Sequence, residues 1–74
     1  MSQYPTLNAK QVERALLRLG FKKIRQKGSH VFYKHEDERV TTVPHHTGRD
    51  IAYPLLRKIL NDIQTSPVEF FKWV

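Results

Sequence analysis

The chain has 74 residues, no cysteine and a formal net charge of +6 at pH 7. That length makes one small domain that buries only about 60% of its unfolded surface, and the lack of cysteine excludes a disulfide framework and any thiolate metal site. Hydrophobic residues make up 39%, with four Phe, three Tyr and one Trp; this suffices for a compact core and argues against disorder, while no apolar run approaches the ~20 residues of a membrane span.

The opening stretch MSQYPTLNAK lacks the apolar centre of a signal peptide, so a cytoplasmic location is expected. A helix is predicted over residues 8–19. Asn8 is its N-cap, Gln11 completes a capping box, and Leu7 with Val12 fits a hydrophobic staple. Val12, Ala15, Leu16 and Leu19 recur at helical spacing and mark the inward face. Gly20 supplies the stop.

Three short strands follow. The first, residues 21–26, alternates poorly. Lys27-Gly28 reads as a tight turn, because glycine takes positive φ without steric cost. The second strand, residues 30–35, is rich in aromatic and β-branched side chains. Its alternation sends Val31 and Tyr33 one way and His30, Phe32 and Lys34 the other. The third strand, residues 39–43, is stopped by Pro44. Glu36-Asp37-Glu38 between them has no glycine, so a loop longer than two residues, built on a type I turn, is expected.

PHHTGRD, residues 44–50, is a loop by composition. A second helix starts near Tyr53-Pro54, with Leu56, Ile59, Leu60 and Ile63 as its apolar stripe. Ser66-Pro67-Val68-Glu69 is a capping box with Pro at N1, opening a short last helix. Phe70, Phe71 and Trp73 can close the edge of the core. The fold expected is α+β in the order α-β-β-β-α, with both helices on one face of a three-stranded antiparallel sheet and a short C-terminal helix. Double-stranded-RNA-binding domains share that order. Residues 1–74 read as a single domain.

The signs of charge are segregated. Arg14, Arg18, Lys22, Lys23, Arg25, Lys27 and Lys34 lie in a run without a carboxylate, and Glu36-Asp37-Glu38 follow together. Such asymmetry favours a polyanionic partner, nucleic acid first, over a face that is merely solvated. Within the run, His30 is the sharpest chemical candidate. An imidazole exchanges a proton near neutral pH, and Arg25, Lys27 and Ser29 beside it could hold a phosphate and offset charge on a pentacovalent phosphorane. RNA brings its own nucleophile, the 2′-hydroxyl, so such a site needs no metal. The competing reading is a histidine that packs or caps a strand. His35, His45 and His46 could donate a proton or touch phosphate, or be solvated loop residues. Their spacing fits no helical zinc motif, and no metal is expected. Phe32 and Tyr33 could stack on bases, or belong to the core.

The ordered set LGFKKIRQKGSHVFYKH, RVTTVPHH and LLRKIL resembles the HicA (YcfA-like) toxin family of toxin–antitoxin systems, over nearly the whole chain. The resemblance implies a double-stranded-RNA-binding-like fold, cleavage of mRNA, and neutralisation by a cognate HicB-like antitoxin; no cofactor is expected, since the chain offers no credible ligand set. It places the catalytic histidine of the G-S-H element at His30 and the preceding turn at Gly28. Arg25, Lys27, Ser29, Lys22, Lys23 and Lys34 are then the expected RNA-facing set. The chain departs from the family pattern twice. Asp37-Glu38 stands where an Asp-Gly turn is frequent, and Pro54-Leu55-Leu56 where the second helix often begins Gly-Thr-Leu. A non-catalytic RNA-binding module and a DNA-binding accessory protein are the competing functions.

Overall fold

The computed structural model describes residues 6–74; the first five positions of the expected domain, and the signal-peptide reading of them, lie outside the described residues. A two-residue strand β1 (Leu7–Asn8) runs into helix α1 (Ala9–Arg18). The capping box forms as expected: Gln11 N–H donates to Asn8 Oδ1 and Asn8 N–H to Gln11 Oε1, both at 2.9 Å. Leu7, Val12, Ala15 and Leu16 are buried. At the far end Phe21 N–H reaches Leu16 O and Gly20 N–H reaches Leu17 O. These two bonds make a Schellman ending, which requires the left-handed φ of 99° at Gly20.

Strands β2 (Lys22–Lys27), β3 (His30–Lys34) and β4 (Val40–Pro44) form the main antiparallel sheet, in that order. Relative to the sequence reading, each of the three begins or ends one residue away. Phe21 belongs to the core just before β2, and Pro44 closes β4, an edge strand whose last rung tolerates a missing N–H. The turn also shifts by one: Lys27 pairs with His30, so its central residues are Gly28-Ser29. Gly28 takes φ 58° and Ser29 does not take positive φ, the pattern of a type II′ turn that matches strand twist. The loop after β3 is built as expected. Glu38 N–H bonds His35 O across a turn, and Glu38 itself takes φ 80°, the three-residue hairpin that ends in a left-handed residue.

One short ladder was not anticipated. Strand β5 (Asp50–Ile51) pairs antiparallel with β1 and pins the end of the loop after β4 to the start of α1. Helix α2 (Tyr53–Asp62) then supplies Leu56, Ile59 and Leu60 to the core, with Ile63 just past its end. Helix α3 (Pro67–Phe70) is capped by Ser66 Oγ, which accepts from Glu69 N–H at 3.2 Å. The reciprocal half of that box is absent, because the Glu69 carboxylate turns forward to Trp73 Nε1 and Lys72 Nζ. Phe70 is fully buried, while Trp73 stays partly exposed.

The core explains the face assignment. Val31, Tyr33, Thr41 and Val43 are buried, and they alternate with Phe32, Lys34, Thr42 and Pro44, which are not. One sheet face therefore packs on the helices and the other faces water. This is the α+β arrangement the sequence predicts.

Candidate functional site

The water-facing side of the sheet is a grid set by strand register. Residues directly opposite in antiparallel strands share a face. Lys27, His30 and Pro44 make the first row; Arg25, Phe32 and Thr42 the second; Lys22, Lys34 and Val40 the third. A β-bulge creates this set. The register shifts between Lys23 and Arg25, so Ile24 has no partner and Lys22, rather than Lys23, joins Arg25 and Lys27 on the open face. Bulges re-aim side chains in this way, and this one accounts for the poor alternation of the segment. Lys23 points to the helix side, where its Nζ lies 3.5 Å from Glu13 Oε2.

His30 is exposed at the first row, directly after the turn, and among the described residues its ring has no hydrogen bond, ion pair or ring contact. Lys27 and Lys22 likewise meet no carboxylate there. Arg25 lies with its guanidinium 4.6 Å from the centre of the Phe32 ring. Lys34 is engaged with Glu38 at 3.0 Å, an exposed pair worth little. The structure thus brings His30, Lys27, Arg25, Lys22 and Lys34 together on one surface. Ser29 contributes its backbone: its carbonyl accepts from His45 N–H at 2.7 Å, and Gln26 Nε2 donates to Gly28 O at 3.0 Å. The turn that carries His30 is held from both sides.

Behind that turn lies a network that sequence reasoning missed. Tyr33, fully buried, donates its hydroxyl proton to Glu13 Oε2 at 2.5 Å and lies 3.0 Å from His45 Nε2. A phenol has one proton. With that proton directed toward Glu13, the Tyr33 oxygen is left to accept from His45 Nε2. Burial alone raises the carboxyl pKa of Glu13, but the Tyr33 hydroxyl, Lys23 and His45 outweigh it and hold the group below the usual carboxylate value. Burial, and then the Glu13 carboxylate, push the Tyr33 hydroxyl far above the ordinary phenol range. Tyr33 therefore stays protonated and serves as a fixed strut. Only long-range contacts define this network, so no local pattern reveals it.

The remaining histidines differ. His46 is exposed and, with His45, Lys10 and Arg49, lines a cleft of about 430 Å³ beyond the β4 end. His35 packs edge-on against Phe21, with ring centres 5.1 Å apart, and its Nδ1 accepts from Asp37 N–H at 3.1 Å. Arg39 covers the same Phe21 ring and bonds both Asp37 and the Ile63 carbonyl. That guanidinium holds the Asp37 carboxyl below its ordinary pKa. Among the described residues no three His, Asp or Glu side chains converge as metal ligands, and no helix is long and apolar enough to cross a membrane.

A water-facing surface with an unengaged imidazole and unpaired cations can place a phosphate and move a proton beside it. In a comparison with known families, residues 9–64 fit the model described as the HicA toxin of bacterial toxin–antitoxin systems. No curated protein matches the chain.

Proposed function

The chain belongs to the HicA toxin family, and on that premise we propose that it is a metal-independent endoribonuclease that cleaves mRNA with His30 as general base. As a toxin of a toxin–antitoxin system it has an antitoxin partner; the further reading is that this partner is HicB-like and silences the chain by covering the open face. The observation that carries the catalytic reading is His30 itself. It stands exposed and unengaged between Lys27 and Pro44, one row from Arg25. A histidine kept for packing would be covered or bonded.

In the proposed reaction His30 takes the proton from a ribose 2′-hydroxyl. The 2′-oxygen attacks the adjacent phosphorus, a new O–P bond forms, and the P–O bond to the 5′-oxygen of the next nucleotide breaks. The leaving oxygen receives a proton from solvent. Lys27, in the row of His30, offsets the charge that builds on the non-bridging oxygens, where a fixed cation stabilises the transition state more than the ground state. The Gly28-Ser29 turn sets where His30 leaves the backbone, and His45 N–H holds that turn in place.

The test is incubation of purified chain with labelled RNA and DNA in excess chelator. RNA fragments ending in a cyclic phosphate or its hydrolysis product support the reading. RNA retardation without cleavage would make the chain a binding module, and preference for duplex DNA an accessory DNA-binding protein. Activity lost to chelator and restored by a divalent ion would overturn the metal-independent mechanism.

A further inference from the structure

The middle row of the open face holds a feature that proton transfer does not use. Phe32 lies on the same side of β3 as His30, two residues and about 7 Å along the strand. The core aromatics Phe21, Tyr33 and Phe70 are buried, but Phe32 stands on the surface that no helix covers and is only partly shielded. Its register partner Arg25 places its guanidinium over the ring, 4.6 Å from the centre. Arg25 makes no ion pair among the described residues and is itself exposed. An exposed planar cation lies over a partly exposed aromatic ring.

We propose that Arg25 and Phe32 form a stacking platform for one unpaired RNA base, which positions the nucleotide next to the phosphate that His30 addresses. The proposal rests on the RNA-cleaving reading of the same face. Bases stack on aromatic rings and on guanidinium planes, and each such stack contributes substantially to single-strand binding. The spacing suits the role, since one ribose-phosphate unit spans the distance from the second row to the first. The flanking charge suits it too: Lys22 and Lys27 lie on the same strand to either side of Arg25 and can follow the backbone. A base inside a duplex has both of its faces covered by neighbouring pairs, so it cannot lie on this platform. The substrate is therefore single-stranded at the site of cleavage, although the fold has the element order of double-strand binders. An acidic segment of a partner protein would match the charge. A carboxylate, however, meets a guanidinium at its N–H edge and has no use for the ring beneath.

The experiment compares wild type with Arg25→Lys and Phe32→Leu on one RNA sequence, presented as a single strand and as a duplex. Arg25→Lys keeps the charge and loses the plane; Phe32→Leu keeps apolar bulk and loses the ring. Because Arg25 is exposed, its variant reports even if Phe32→Leu loses stability. Each should lower kcat/KM on the single strand by about 5- to 100-fold, the range of one stacked base. The salt dependence of binding should not change, since no charge is removed. Wild type should cut the duplex far more slowly than the single strand. Arg25→Lys cleaving at the wild-type rate, or a duplex cut as fast as a single strand, would overturn the platform while leaving the nuclease intact. Unchanged RNA cleavage with weakened antitoxin binding would also overturn it, assigning the pair to the partner instead. A wild-type chain that cuts no RNA removes the premise and the platform together.

Discussion

His30 opens β3 and His35 follows its last residue, and their surroundings share almost nothing. His35 is packed edge-on to Phe21, bonded at Nδ1 by the Asp37 backbone, and pressed against Gly20, where a built Cβ would fall 2.9 Å from Nε2. Its neighbour Arg39 is bonded to Asp37 and to the end of α2. His30 has none of this, and among the described residues its nearest cations, Lys27 and Arg25, pair with no carboxylate. The same residue type is packed and bonded at one end and left unengaged at the other. Stability comes from satisfied groups, whereas a group that must engage a substrate has to be free of internal partners. On this contrast, changes at the His35 end should cost stability, and changes at the His30 end should cost activity.

The glycines sharpen that contrast most. Both take positive φ, but Gly20 abuts His35 and Gly28 faces open space. Gly20→Ala combines backbone strain with a clash and should cost about 2–3 kcal/mol, a fall in Tm of roughly 10–20 °C for a domain of this size. Gly28→Ala carries the strain alone and should cost about 1 kcal/mol. Equal losses, read by thermal denaturation, would contradict the assignment of Gly20 to a packed cluster.

The strut beneath the sheet is next. Tyr33→Phe leaves Glu13 and His45 without their shared partner and should cost about 1–3 kcal/mol at neutral pH. The sign of the pH dependence follows from Glu13. Its folded-state pKa lies below the unfolded one, so its contribution is present in full above the unfolded value and is lost as pH falls through the folded one. The gap in Tm between wild type and Tyr33→Phe should narrow as the solution is acidified below about pH 4. A gap that widens there would contradict an ionised Glu13 as the acceptor.

A smaller effect, of opposite sign, is expected at Glu38. Its φ of 80° is one that glycine adopts freely. Glu38→Gly gives up only an exposed pair with Lys34 and should stabilise the chain by about 0.5–1 kcal/mol. A loss of stability in a denaturant titration would mean that the turn, or the pair, is worth more than its geometry indicates.

These cases also show what a sequence reveals and what it does not. The cap of α1, its Schellman stop, the stripe of α2 and the inward pair Val31 and Tyr33 were all legible, because each is encoded within a few neighbouring residues. The placing of His30 with Phe32 and Lys34 on one face followed from alternation alone. The bulge was not legible, since KKIRQK has no alternation to interrupt, and the choice of Lys22 over Lys23 depends on it. The β1–β5 ladder is too short to carry a pattern. The Glu13–Tyr33–His45 network joins three separate elements, and a buried tyrosine reads as core whether or not its hydroxyl has work to do. Which residue of Glu36-Asp37-Glu38 takes the left-handed conformation also emerged only from the fold.

The central claim is that the free histidine is the functional one. It is tested most directly by measuring RNA cleavage and thermal stability for His30→Ala and His35→Ala side by side. His30→Ala should keep its Tm to within a few degrees, still bind RNA, and lose about 10²–10⁴ in cleavage rate, the usual loss on removing a general base. His35→Ala should lose about 1–2 kcal/mol of stability and, where folded, cleave at close to the wild-type rate. The account is contradicted if His30→Ala cleaves near the wild-type rate, or if His30→Ala unfolds while His35→Ala is stable and inert.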